Sequence, residues 1–231
     1  MFVRVPSRRR PSLPWATPLL VLLAMTAFVW LANLDQVDRA GALLKWGTLS
    51  EANLSAVRDW SSVWTDFSPL SLVSAIFIHA DWLHLLGNML FLVIFGLPAE
   101  RALGASRFLA LFLVCGALSN LATVVAMSLT GGDRLLLVGA SGAISALIAA
   151  FLLLFPKARL GFVLPLGLYL EFVRVRAWLM IGIWAFIQGL FAYVGPAFGM
   201  AAWWAHSSGF LFGVVIARLF RASVARRLRE Y

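Results

Sequence analysis

The chain has 231 residues, 62% of them hydrophobic, with only 13% charged and a mean hydropathy of +0.91. A soluble domain of this length could not hide that much apolar surface, so the composition excludes one and points to an integral membrane protein. The net charge of +9 does not indicate a nucleic-acid partner, because the basic residues are scattered over short segments between apolar runs and at both ends.

Crossing a ~30 Å hydrocarbon core takes about 20 helical residues. Residues 1–14 are basic, and Ser7-Arg8-Arg9-Arg10 precedes the first apolar run, 15–33. That run is longer than a cleavable signal core and no small-x-small site follows it, so it reads as an uncleaved helix. Residues 34–81 form a long first loop rich in Asp and Trp. The second and third runs are 82–98 and 106–129. Cys115, the single cysteine, lies in the third run as a small packing residue, and alone it permits no intrachain disulfide. The fourth run is 141–155. The stretch Leu160 to Leu170 is apolar but broken by Gly161, Pro165 and Gly167, and reads as an interfacial segment, with a helix extension as the alternative. Runs five and six are 177–195 and 202–220, before a basic tail, 221–231. The expected fold class is an all-α polytopic membrane protein with six transmembrane helices, a membrane domain over 15–220 and cytoplasmic termini at 1–14 and 221–231.

Charge supplies the orientation. With the N-terminus inside, the inner segments (1–14, 99–107, 156–176, 218–231) hold 15 Lys/Arg and 3 Asp/Glu, against 4 and 7 in the outer ones. This excess follows the positive-inside rule with both termini cytoplasmic.

Three patches carry polar groups that a bilayer disfavours: His84-Leu-Leu-Gly-Asn88, Gly139-Ala-Ser-Gly142 and Ala205-His206-Ser-Ser-Gly209. Ionisable and polar groups inside a membrane mark a functional site by default. Runs two, four and six all run outside to inside, so His84, Ser141 and His206 come to a similar shallow depth below the outer face. From Ser141 to Phe155-Pro156-Lys157 is about 15 residues, or roughly 22 Å of helix. Ser141 therefore starts its helix ~8–10 Å below the outer boundary. The lead-in Leu135-Leu-Leu-Val138 then dips into the bilayer as irregular backbone, tolerated only beside protein or a wet cavity.

These groups can perform acyl transfer. A serine hydroxyl needs a neighbouring base to become a nucleophile, and His206 is the candidate base for Ser141. Gly209-x3-Gly213 gives run six a face for close helix approach, matched by the small residues Gly142, Ser145, Ala146 and Ala149 on run four. The N–H of Ser141 at a helix start could bind an oxyanion. His84 and Asn88, four apart, share a helix face and can point at the same spot. Alternatives for that pair are an interhelical polar clamp or a metal site built from His79, His84 and His206; no carboxylate stands at ligand spacing, so no metal is expected. No acidic partner for His206 occurs within runs two to six, so the expectation is a Ser–His dyad oriented by packing. Trp203 and Trp204 read as interfacial residues, and Trp184 and Gln188 as marking the side where substrate enters.

These residues resemble the rhomboid intramembrane serine proteases of bacterial type. The matching motifs are His79-x4-His84-x3-Asn88, Gly96-x3-Glu100-x3-Gly104, Gly139-Ala-Ser141-Gly142 and Ala205-His206-x2-Gly209-x3-Gly213, with similarity over about residues 60–220. The resemblance implies a six-helix rhomboid fold, Ser141 as nucleophile, His206 as general base, and His84 and Asn88 at the oxyanion site. His79, Gly139, Gly142, Gly209 and Gly213 are supporting residues. It implies transmembrane protein substrates, a lipid bilayer as surroundings, no nucleic acid, no cofactor, and a multi-pass place in a bacterial inner membrane. Three departures stand out. Leu70-Ser71 occupies the place of a Trp-Arg pair found in many members, leaving Trp60 and Trp64 as candidate anchors. Ser145 stands where some members have a Tyr that stacks on the catalytic His, so the imidazole must be oriented from elsewhere. Arg101 follows Glu100 directly, where relatives often have the Arg one residue later. The alternative functional class is a non-catalytic rhomboid-like protein that binds transmembrane segments. A transporter is disfavoured, because no internal repeat is evident.

Overall fold

The computed structural model describes residues 13–49, 69–129, 136–166, 169–194 and 196–229. Most of the basic N-terminus (1–12), the loop section 50–68 with Trp60 and Trp64, and residues 130–135 lie outside the described residues.

Every one of the six apolar runs is helical. In chain order, α1 is Ala16–Ala32, α2 Gln36–Trp46 and α3 Pro69–Ser74. α4, Trp82–Phe91, continues through a π turn at Leu92–Gly96 into α5, Leu97–Leu103. α6 is Ala105–Leu129, α7 Ser141–Leu154, α8 Ala177–Val194 and α9 Pro196–Arg229. Two stretches, Trp82–Leu103 and Ala105–Met127, are long and apolar enough to cross a membrane; Ala16–Ala32, Ser141–Leu154 and Ala177–Leu190 are shorter apolar helices. The first loop holds more order than its polarity suggested. α2 starts at Asp35, whose carboxylate accepts from the Asp38 N–H at 2.8 Å and caps the helix.

α7 is the centre of the molecule. Residues 142–150 are buried on every face, as expected of a helix that is apolar all round. α6 and α9 pack along it, and Phe151 meets Phe95 of the π turn edge-on at 5.2 Å between ring centres. The approach of α9 is glycine-dependent. A Cβ at Gly209 would land on the backbone of Gly142, and one at Gly213 on the backbone of Ala146. The small-residue faces predicted for runs four and six therefore meet, one helical turn apart at each contact.

At the opposite end of the bundle the buried carboxylate of Glu100 ties α5 to α1. Oε1 accepts from the N–H groups of Trp15 and Ala16, and Oε2 from the N–H of Thr17, each at 2.8 Å, with the Thr17 hydroxyl at 2.7 Å. Those N–H groups have no intrahelical acceptor, and the positive end of the helix dipole favours the carboxylate.

The chain is mostly helical rather than all-α. Thr48–Leu49 (β1) pairs antiparallel with Leu136–Leu137 (β2), so the lead-in to α7, expected to be irregular, is held as a strand against the first loop. Arg159–Leu166 (β3) and Tyr169–Arg176 (β4) form an antiparallel hairpin, with Arg159 opposite Arg176 and Leu166 opposite Tyr169. The alternative expectation of a helix extension at 160–170 is thereby corrected: Leu160–Leu166 and Tyr169–Leu170 lie in the two strands of the hairpin. Val163, Val173, Val175, Phe162, Tyr169 and Phe172 favour extended backbone, and Pro165 falls near the turn end of the ladder.

Candidate active site

The first turn of α4 is built by Asp81, whose carboxylate accepts from the His84 N–H at 2.8 Å. This cap fixes where the helix begins, so His84 and Asn88 present one face four residues apart. α7 begins two residues after Gly139, whose φ of +113° lies in the region that side chains disfavour. Its N–H donates to the carbonyl of Ala75 at 2.8 Å, which holds the turn against the end of α3. A Cβ on Gly139 would sit 2.6 Å from Cε1 and Nε2 of the His84 ring and 3.4 Å from Nδ2 of Asn88. The missing side chain is what lets both groups approach the start of α7.

A cavity of about 560 Å³ opens there, lined by His84 and Asn88 of α4, Gly139, Ser141 at the first turn of α7, Trp184 and Gln188 of α8, and His206 of α9. All four residues singled out for chemistry thus border one space, together with the two of run five read as an entry side. Leu83, Phe91, Leu137, Ile144 and Ile148 make most of the remaining wall apolar. The N–H groups of Ser141 and Gly142 belong to the first turn of α7, which lacks intrahelical acceptors.

His79 does not border the cavity but stands behind it, fully buried. Its Nδ1 is 3.2 Å from the carbonyl of Phe77 and its Nε2 3.0 Å from Nδ2 of Asn88. A carbonyl only accepts, so Nδ1 carries the proton and Nε2 accepts from the amide. Burial pushes His79 down to about 4, with the neighbouring His84 adding to the effect, which keeps the ring neutral. With both nitrogens engaged, His79 supports Asn88 rather than forming a ligand trio with His84 and His206. Among the described residues no group of three His, Cys, Asp or Glu is arranged to hold a metal ion.

Gly142, Gly209 and Gly213 serve the site from behind, through the α7–α9 contact. Ser145 donates its hydroxyl to the Ser141 carbonyl at 2.8 Å and stays within its own helix. The His206 ring is instead flanked by α8: Nδ1 lies 3.2 Å from Oε1 of Gln188, and the ring centre is 5.4 Å from that of Trp184. An orienting group was expected from packing; the structure adds a hydrogen bond.

Two residues escaped the sequence reading. The hydroxyl of Ser119 donates to the Ala205 carbonyl at 2.6 Å, in the space that the absent Cβ of Gly142 leaves open. This links α6, α7 and α9 next to His206. Asn120 donates to the Leu72 carbonyl at 2.8 Å and ties α6 to α3. The signal available was a Ser-Asn pair in the middle of an apolar run.

Comparisons with known proteins agree with this architecture. Over 170 residues, 70% of this chain and 46% of the relative, the sequence is 31% identical to Rhomboid protein 1, mitochondrial, of Saccharomyces cerevisiae. Over 97 residues, 41% of this chain and 24% of the relative, it is 37% identical to Presenilin-associated rhomboid-like protein A, mitochondrial, of Danio rerio. Over 81 residues, 35% of this chain and 25% of the relative, it is 37% identical to RHOMBOID-like protein 5 of Arabidopsis thaliana. The chain spans less than half the length of these curated relatives. The family model described as Rhomboid domain matches residues 63–223, a range that takes in α3 to α8, the cavity and most of α9. On that match the chain belongs to the rhomboid family and is an integral membrane protein.

Proposed function

We propose that this protein is an intramembrane serine endopeptidase, cleaving transmembrane or juxtamembrane segments of single-span membrane proteins with a Ser141–His206 dyad. The observation that carries this reading is the shared cavity, which Ser141 and His206 border from two helices packed glycine to backbone. His206 has Nδ1 engaged with Gln188, which leaves Nε2 as the nitrogen available to a serine.

In this mechanism His206 Nε2 takes the Ser141 Oγ proton as Oγ bonds the scissile carbonyl carbon. The resulting oxyanion is met by the Ser141 N–H, His84 and the second amide N–H of Asn88. The imidazolium then protonates the leaving amine as the C–N bond breaks, and water, activated by the same nitrogen, releases the acyl group. A helical substrate hides its carbonyls in hydrogen bonds, so local unwinding precedes attack, aided by helix-disfavouring residues.

The topology that suits this chemistry is six spans with both termini cytoplasmic, a membrane domain over 15–220 and basic ends at 1–14 and 221–231. The charge distribution supports that orientation. The proposed location is a bacterial inner membrane. The deciding experiment incubates purified protein and its Ser141→Ala variant with a panel of single-span substrates. Cleavage by the wild type alone supports the proposal. Binding without cleavage by either would favour the non-catalytic rhomboid-like reading.

A further inference from the structure

We propose that Gln188 is the positioning residue of His206, giving the ring, through a neutral amide, the tautomer that a base requires. The inference rests on the Ser141–His206 reading and deepens it.

Gln188 and Trp184 are four residues apart, hence on one face of α8, and both turn toward the same imidazole. Gln188 Oε1 lies 3.2 Å from His206 Nδ1, and the Trp184 ring flanks the imidazole at 5.4 Å with a 43° tilt. The contact of α8 with α9 is close, since a Cβ on Gly189 would lie 3.5 Å from the Trp203 ring. α7 supplies no rival partner, as its Ser145 hydroxyl is committed to the Ser141 carbonyl. No carboxylate lines the cavity among the described residues.

A neutral imidazole carries one proton, and an amide oxygen accepts but does not donate. A proton on Nδ1 facing Oε1 therefore leaves the lone pair on Nε2, where the Ser141 proton must go. Through the reaction Nδ1–H stays on Gln188. The transferred proton passes from Oγ to Nε2 and then to the leaving amine, and the amide gains and loses nothing. Unlike a carboxylate, the amide does not neutralise the imidazolium, so its contribution is orientation and tautomer.

The test measures kcat and KM across pH for Gln188→Leu and Gln188→Glu, with the histidine tautomer read by ¹⁵N NMR and His206→Ala as the assignment control. Gln188→Leu should lose about ten- to hundredfold in kcat with KM little changed, since a misplacement of about 1 Å can cost that much. Its His206 should become a mixture of tautomers, where the wild type holds the proton on Nδ1. Gln188→Glu should retain turnover and move the acid limb of the profile up by about one pH unit, as an adjacent anion favours the imidazolium. The other titratable group bearing on His206 is His84 of α4. α7 has none; α6 has Arg107 near its start and Cys115 in the core; α8 has the exposed Tyr193; α9 has Arg218 and Arg221 three and more turns along. Wild-type kcat in Gln188→Leu, or mixed tautomers in the wild type, would overturn the proposal while leaving the dyad intact. Turnover surviving Ser141→Ala would instead overturn the dyad, with the tautomer measurement still reporting on Gln188.

Discussion

Asn88 donates one of its two amide hydrogens to Nε2 of the buried His79, at 3.0 Å. The other hydrogen is free to serve the cavity that Asn88 lines. The neutral ring behind it is thus a fixed acceptor that sets which way the amide points.

An oxyanion role for Asn88 has a definite size. Removing one preorganised donor typically costs on the order of 10²–10³ in kcat. Asn88→Ala should fall in that range with KM little changed, and residual turnover should persist because the Ser141 N–H remains. Steady-state kinetics on a detergent-solubilised single-span substrate would check this. Unchanged kcat with a lowered Tm would show that Asn88 only clamps α4 to the chain before it.

His79 should make stability pH-dependent in one direction. Its folded value is about 4 against an ordinary 6.5, so between these the unfolded chain binds the proton and the native protein does not. Stability from this group is complete above about pH 6.5 and declines as pH falls toward 4, by up to ~1.4 kcal/mol per pH unit. Thermal unfolding in detergent over that window should show a falling Tm, with a shallower fall in His79→Gln. Parallel slopes in the two proteins would mean that other groups carry the dependence.

The α7–α9 contact should be intolerant of bulk. Gly209→Leu or Gly213→Leu would drive a side chain into the backbone of Gly142 or Ala146 and move His206 away from Ser141. Displacement of about 1 Å can cost around 10²-fold, so activity should fall further than stability. Measuring turnover and Tm on the same preparations tests this, and full activity in Gly209→Leu would show that the contact does not hold the base.

The helical character of the apolar runs was legible because a long apolar run bounded by charge or proline has few other solutions in lipid. The small-residue faces on runs four and six were legible for the same reason as their packing: glycine spacing of four marks one side of a helix. The β3–β4 hairpin was not. β3 is apolar at nearly consecutive positions, so no period of two appears there, β4 alternates only over Val173-Arg174-Val175-Arg176, and register arises only when the ladders pair. Gln188 was visible as a polar residue in an apolar helix, but its partner was not, because rotation of α8 is set by packing against α9. His79 was grouped with the other histidines only because the chain has three, and was named a supporting residue by its motif; sequence spacing gave no sign that its nitrogens would be spent on Phe77 and Asn88.

Orientation is the last expectation open to a direct test. The proposed topology puts the site toward the outer face with the acidic loop that holds α2, and puts Lys157 and Arg159, which follow α7, on the inner side. Asp38 on α2 and Lys157 are both exposed, so a thiol at either is reachable from its own compartment. The native Cys115 is fully buried and gives little background. In sealed right-side-out vesicles Asp38→Cys should react with an impermeant maleimide at once, and Lys157→Cys only after lysis. A fluorophosphonate probe should label Ser141 in the same intact vesicles, with Ser141→Ala losing the signal. The reverse thiol pattern would turn the molecule over and put Ser141 near the inner face, which would overturn the depth estimate of roughly 21 Å of α7 below it.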